Sequence, residues 1–432
     1  MTRIAERGPI THWAPDDPAF WRTRGRRIAW RNLACSVCVE HLAFTVWTLW
    51  SVVVVHLGHR NLTVDQLFWL VALPSLVGAF VRVPYTVAPA VFGTRTWTVA
   101  SALLLVVPAL GLAAAAGHPG TPYWVLLLVA ATAGLGGGNF ASGVATITHF
   151  FPQRRQGLAL GLNAAGGNIG VSTVQLAVPV VIAAFGVAAA GLVWVPLILL
   201  AALAAYLWMD DLTVARAPIG DRLRVAARPR TWLLSLLYVG SFGSFLGYAT
   251  ALPLLVEIWH PDADAARFAF LGGLVGSLAR PVGGWLADRL GGAQVTTGTF
   301  LAMTGAVAVT VAALRAHDLG WTVAAFVLLF VTTGLGNGAA YRMIPAVFAE
   351  RRGDAAAAAG LVAAVGALGG FLINTAFGRS IAATGSAETA LWIFACCYLG
   401  CAALTWAWQL RNRAGRPEPQ PVRPQVGQLA GR

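Results

Sequence analysis

Leu73–Gly93 reads LPSLVGAFVRVPYTVAPAVFG and Phe270–Gly292 reads FLGGLVGSLARPVGGWLADRLGG. Each is an apolar stretch of bilayer-spanning length. Each carries one arginine deep inside it, Arg82 in the first and Arg280 in the second. A guanidinium keeps its proton at any accessible pH, and a charge near the bilayer centre costs roughly 2.5–3.5 kcal/mol on insertion scales. Neither arginine has an acidic residue beside it. The missing negative charge is therefore expected to come from an anionic substrate.

Hydrophobic residues make up 57% of the 432-residue chain and charged residues 11%, and the mean hydropathy is +0.69. Those values lie outside the range of soluble globular domains and indicate a polytopic, all-α membrane protein. All thirty basic residues are arginine, giving a formal net charge of +13. The arginines concentrate in segments on one side of the membrane, so the lipid bilayer rather than nucleic acid accounts for the charge. The first ~30 residues are polar and lack the apolar core of a cleavable signal. Cys35, Cys38, Cys396, Cys397 and Cys401 lie in apolar stretches and read as small hydrophobes. No metal or cofactor is expected, and no nucleophile–base cluster points to an enzyme.

Hydropathy predicts twelve spans, over 32–57, 66–91, 96–116, 122–150, 156–185, 188–209, 232–257, 265–287, 293–315, 320–347, 355–382 and 386–410. The polar segment 210–231 separates two six-helix halves, 32–209 and 232–410; an arm, 1–31, precedes them and a tail, 411–432, follows. Arginines crowd the arm (Arg22 to Arg31), the link after span four (Arg154, Arg155), the linker (Arg216 to Arg230), the link after span ten (Arg351, Arg352) and the tail (Arg411, Arg413, Arg416). With both termini cytoplasmic in a plasma or inner membrane, all of these fall inside. The opposite side holds Arg60, Arg267, Arg315 and the acidic EIWHPDADA.

The halves repeat. Leu76-Val77-Gly78-x-x-x-Arg82 matches Leu274-Val275-Gly276-x-x-x-Arg280, and GLNAAGGNIG from Gly161 matches GLVAAVGALG from Gly360. GLGGGNF from Gly134 likewise parallels GLGNGAA from Gly334. Spans 2, 4 and 5 thus correspond to spans 8, 10 and 11. Two pseudo-symmetric six-helix halves with a mid-depth site between them resemble the fold of the major facilitator transporters. GGWLADRLGG resembles that superfamily's loop motif, with Asp288 and Arg289 as its charges; FGTRTW, its counterpart in the first half, lacks the acid. These loop charges are expected to brace helix ends.

Arg82 lies about ten residues, or ~15 Å, from the near end of its helix, too deep to snorkel easily. Bonding to helix carbonyls is one role for such an arginine. A pseudo-two-fold axis would instead bring Arg82 and Arg280 face to face, where an anion between them would relieve their repulsion. A planar guanidinium fork suits a flat oxyanion. Gly161, Gly166, Gly167, Gly170, Gly366, Gly369 and Gly370 recur at helical spacing and are expected to let helices pack closely and slide. Asn139, Asn163 and Asn168 sit among such residues, and buried amides need partners.

RVPYT after Arg82, GLGGGNFAS, GLALGLNAAGGNIGVSTVQL and the glycine spacing of span eleven resemble the NarK-type nitrate/nitrite porters of the major facilitator superfamily. The resemblance runs from about Ile10 to Trp406. It implies a transporter of nitrate and nitrite in which Arg82 and Arg280 clamp the anion; a monomer is expected. It also implies that Phe140, Tyr238 and Phe242 line the site and that Asn168 belongs to it. Tyr238 and Phe242 are four residues apart and share a helix face.

Glu40 and His41 depart from the bacterial exchanger branch of that family, whose first span is apolar here. An acid inside the membrane is a functional candidate; an arginine or His41 could also simply satisfy it. Arg342 and Arg379 read as interface or pairing residues. Exchange of nitrate for nitrite moves no net charge and needs only the arginine pair. Proton-coupled symport needs a titratable group such as Glu40 or His41. A membrane nitrate sensor is a third class, but it would require a signalling domain. Formate, chlorate or bicarbonate would also suit two arginines, and the resemblance alone singles out nitrate.

Overall fold

In the computed structural model, residues 8–212, 224–261, 268–348 and 352–414 are described. They form twelve long helical runs. The first half holds α1 Pro18–Leu57, α2 Val64–Phe92, α3 Thr94–Gly117, α4 Tyr123–Phe150, α5 Gln153–Phe185 and α6 Ala189–Trp208. The second holds α7 Pro229–Trp259, α8 Ala269–Leu290, α9 Gly292–Arg315, α10 Leu319–Val347, α11 Arg352–Thr384 and α12 Glu388–Ala414. Eleven of these are long and apolar enough to cross a membrane among the described residues. The exception is α8, whose apolarity is lowered by Arg280, Pro281 and its glycines.

Packing follows the sequence repeat. In the first half α1 packs on α5 and α2 on α4; in the second α7 packs on α11 and α8 on α10. The halves meet along two seams related in the same way, α2 against α11 and α5 against α8. Glycine permits the closest approaches. A Cβ at Gly134 would lie 2.8 Å from the Gly78 nitrogen, and one at Gly243 would lie 2.6 Å from the Gly369 Cα. Both neighbours are backbone and cannot swing aside, so a side chain at either place would separate α2 from α4 or α7 from α11.

Helical structure starts before the first expected span: α1 begins at Pro18, within the arginine-rich stretch 1–31. Asp17 caps it by accepting from the Ala19 N–H at 2.8 Å, and Pro18 occupies the first turn, where its missing N–H is harmless. The arm before it folds back on the first half. The Ile10 N–H donates to the Asp211 carbonyl at 2.8 Å, and Trp13 Nε1 donates to the His149 carbonyl at 3.0 Å. Trp21 is buried against Phe151. From the expected charge pattern, Arg216, Arg222, Asp262, Asp264, Arg267, Arg351, Arg416 and nearly all of the tail lie outside the described residues.

Candidate substrate site at the seam between the halves

Among the described residues only three charged side chains are buried: Glu40, Arg82 and Arg280. The repeat places the two arginines on corresponding helices, and the fold brings both to one aromatic ring. The Arg82 guanidinium carbon lies 5.1 Å from the Phe140 ring centroid and that of Arg280 lies 5.9 Å from it. Trp47 and Phe242 also face Arg82, each at 5.2 Å, and Tyr341 faces Arg280 at 5.6 Å. Tyr238 stacks on Phe242 at 5.1 Å with an interplanar angle of 13°. The short π-helical turn Val239–Gly243 follows Tyr238 directly and carries Phe242. Tyr341 leans on Tyr238 at 5.4 Å.

The forks of the two arginines are only partly used. Arg82 Nε donates to the Gly137 carbonyl of α4 at 2.9 Å, and Nη1 donates to the Ala363 carbonyl of α11, across the seam. Arg82 thus does what a structural arginine does, but its Nη2 has no partner among the described residues. Arg280 Nη2 donates to the Tyr238 hydroxyl at 3.3 Å, while its Nη1 has none. The Tyr341 hydroxyl and both side-chain polar atoms of Asn168 and of Asn337 are likewise buried and unpartnered. Buried donors are rarely left this way in packed interiors, so these atoms are candidates for contact with a polar guest.

A family model, Major Facilitator Superfamily, matches residues 35–373. The chain belongs to the major facilitator superfamily. Within it, the chain falls in the NarK-type nitrate/nitrite porter family. It is 40% identical to the nitrate/nitrite transporter NarU of Salmonella typhimurium, over 94% of this chain and 98% of that protein. It is 36% identical to the probable nitrate/nitrite antiporter NarK2 of Thermus thermophilus, over 96% of this chain and the whole of that one. Among solved structures, a bacterial homologue of the human lysosomal transporter Spinster, inward-facing and occupied, superposes with a TM-score of 0.67. At 17% identity, over 90% of this chain and 98% of that one, this likeness bears on the fold alone.

In this porter the signature glycines pack mainly inside each half. A Cβ at Gly167 would lie 2.7 Å from Glu40 Oε1, one at Gly170 3.1 Å from Thr45 Oγ1, and Gly166 abuts Val37, so all three seat α5 on α1. Gly366 abuts Tyr238 and Gly369 abuts Gly243, seating α11 on α7. Gly370 alone reaches both ways, to Leu246 of α7 and to Ser75 of α2. Gly166, Gly167, Gly170, Gly366 and Gly369 therefore make their close approaches within a half. Gly161 makes no such approach here: a Cβ there would meet nothing within 4 Å among the described residues, and the same holds at Gly157. Farther along the same face of α5, Ser172 closes on Gly273 of α8, 2.7 Å from where a Cβ would stand.

Glu40 bonds neither an arginine nor His41. Its Oε2 accepts from Asn163 Nδ2 of α5, and Asn163 Oδ1 in turn accepts from Ser36 Oγ at 3.0 Å. His41 turns its Nδ1 to the Gly166 carbonyl at 3.0 Å. Of the loop charges, Asp288 pairs with Arg342 Nε at 2.5 Å, tying α8 to α10, and Arg289 lies over Trp285 at 4.2 Å. The acid missing from FGTRTW comes from the end of the first half: Asp211 accepts from the Arg95 N–H at 2.7 Å and lies 3.7 Å from its side chain. Arg379 is exposed.

Sequence reasoning missed Trp47, Tyr341 and Asn337. Trp47 is two turns beyond Glu40 on α1. Tyr341 directly follows GLGNGAA, the repeat of the segment that ends in Phe140. In the repeat Phe140 falls on Ala340, one residue before Tyr341, so the alignment alone does not single out this ring.

Proposed function

We propose that this porter exchanges nitrate for nitrite by alternating access, with the anion held between Arg82 and Arg280. The observation that carries this reading is the pair of unpartnered guanidinium nitrogens, Arg82 Nη2 and Arg280 Nη1, on two buried cations that share the Phe140 ring. A trigonal planar anion offers in-plane oxygens to both forks and a flat face to Phe140, Tyr238 and Phe242. The names of the relatives supply the anion. Asn168, with both polar atoms buried and unpartnered, is the amide this reading places beside it.

The exchange mode follows from charge. Nitrate entering alone against an inside-negative potential would have to overcome about 2.3 kcal/mol per 100 mV. Nitrate in for nitrite out moves no net charge. Two guanidiniums that cannot deprotonate also resist being buried together without an anion, which favours a carrier that reorients only when loaded. The arginine-rich face, with Arg31, Arg154, Arg155, Arg228 and Arg230, is taken as cytoplasmic. The open stretch of α5 at Gly157 and Gly161 lies toward that face, and the α5–α8 contact at Ser172 and Gly273 lies toward the other. This pattern supports an inward-facing arrangement. The test is nitrate uptake into proteoliposomes preloaded with nitrite or left empty of anion, at equal pH on both sides. Uptake that requires internal nitrite is expected; equal uptake in both would overturn exchange.

A further inference from the structure

α7 carries a proline inside its second half, Pro253. Proline has no N–H, so the carbonyl one turn earlier, at Ala249, loses the donor that a regular helix would give it. Ala249 is fully buried, and an unfilled acceptor in such a place is costly. The other half of the molecule fills it: Gln175 Nε2 of α5 donates to the Ala249 carbonyl at 2.5 Å. Gln175 is itself buried, and its Oε1 has no partner among the described residues.

The repeat shows what sets this bond apart. Counted from Gly161 and Gly360, where the two repeats start, Gln175 and Asn374 occupy the same place. Both amides reach the same turn of α7. Asn374 Nδ2 of α11 donates to Thr250 Oγ1 and to the Gly370 carbonyl of its own helix, each at 2.8 Å. α7 and α11 belong to one half, so the bond to Thr250 travels with them. The bond from Gln175 joins the two halves and has to break whenever they part on this side. One turn before it on α5, Ser172 closes on Gly273 of α8. Gln175 and Ala249 each lie two turns, about 10 Å, beyond a residue of the candidate site, Asn168 on α5 and Phe242 on α7. That direction leads away from the arginine-rich face.

Resting on the inward-facing reading above, we propose that Gln175 is a positioning residue of the transport cycle: its bond to the carbonyl freed by Pro253 is the latch that holds the outer side of the seam shut. Opening that side admits water, which takes over the Ala249 carbonyl. The latch therefore releases without leaving a buried acceptor empty. Gln175 acts on the anion only by setting how often the site faces outward.

The test reads outward opening with a thiol at the closed seam. Ser172→Cys is placed in the full chain in right-side-out membrane vesicles and treated with a membrane-impermeant maleimide. Its modification rate is followed by peptide mass, which separates it from the five native cysteines. Gln175→Met removes the donor at similar volume and is expected to raise the rate about 3–10-fold, the worth of one hydrogen bond. Pro253→Ala gives α7 its own N–H for the Ala249 carbonyl, and in that background Gln175→Met is expected to change the rate less than about twofold. An unchanged rate in Gln175→Met with Pro253 present, or the same rise in both backgrounds, would overturn the latch. Nitrate uptake by nitrite-loaded vesicles is measured alongside, so a failure of the exchange reading shows there and not in the labelling. Modification of Ser172→Cys only in inverted vesicles would overturn the inward-facing reading and the latch with it. Should Gln175→Met fold poorly, Pro253→Ala alone decides: it competes for the carbonyl and is expected to raise the rate about twofold or more, and no rise would overturn the proposal.

Discussion

Arg82→Lys keeps the charge and removes the fork. Arg82 reaches three directions at once: Nε to the Gly137 carbonyl, Nη1 to the Ala363 carbonyl, and Nη2 free for a guest. An ammonium is a point charge on a flexible stem, and one that turns to the anion must release at least one carbonyl. A hydrogen bond to a charged group is worth about 1.5–3 kcal/mol, and each 1.4 kcal/mol is tenfold in affinity. Losing the anion-facing bond, or sharing it with a carbonyl, is therefore expected to weaken nitrate binding about 10–100-fold. Among the described residues Arg280 has a single side-chain hydrogen bond, 3.3 Å to the Tyr238 hydroxyl, so Arg280→Lys can follow the anion with less conflict and is expected to lose about tenfold or less. The comparison is read by titrating purified protein with nitrate, both calorimetrically and through the nitrate-dependent rise in melting temperature, with size-exclusion profiles to confirm folding. Equal losses in the two variants, or wild-type affinity in Arg82→Lys, would refute the fork as what holds the anion.

Four further outcomes are expected. Tyr341→Phe keeps the ring beside Arg280 and Tyr238 but deletes a buried, unpartnered hydroxyl; nitrate affinity should fall a few-fold while the melting temperature holds or rises, since an unsatisfied polar group is costly to bury. Gly243→Ala pushes a methyl against the Gly369 backbone and should lower stability by about 1–3 kcal/mol, seen as a reduced melting temperature without nitrate. Gly161→Trp should leave the melting temperature unchanged, because that face of α5 is open; yet it should slow exchange at least tenfold if α5 meets α8 there when the cytoplasmic side closes. Asp288→Asn breaks a pair whose side chains are about half exposed and should cost less than about 1 kcal/mol, measurable in thermal melts at low and high salt.

The architecture was legible because it is written in long-range patterns: twelve apolar runs and a repeat that pairs Arg82 with Arg280. Lipid demands that every span be helical, which left few alternatives. The start of α1 was missed because Arg22, Arg24, Arg26 and Arg27 make that segment look like solvent-exposed arm, and the Asp17-Pro18 start signal is only two residues long. The buried arginines stood out as an energetic anomaly. The rings around them did not, since aromatics occur on nearly every helix of this chain and pattern alone cannot say which face the cavity. Gly161 and Gly167 look alike in sequence. One lies on an open face and the other against Glu40, a difference set by the rotation of α5 about its axis. Asn163 needed a partner and has one, Glu40, but nothing in the spacing linked residues 123 apart.

The way the two cations are stabilised bears on why they can still bind a guest. A salt bridge would quench an arginine by filling the in-plane N–H positions that an oxyanion needs. Aromatic rings act on the guanidinium through its face. Three rings lie about 5 Å from Arg82 and two within 6 Å of Arg280, each contributing roughly 0.5–2 kcal/mol without using a donor. Glu40 adds a negative charge that accepts its hydrogen bond from Asn163 rather than from either guanidinium. The cations are thereby kept tolerable in a low-dielectric interior while one nitrogen of each fork stays available. Replacing Phe140 by aspartate would reverse this arrangement: it would neutralise the pair more completely and, by occupying the forks, compete with the anion they face.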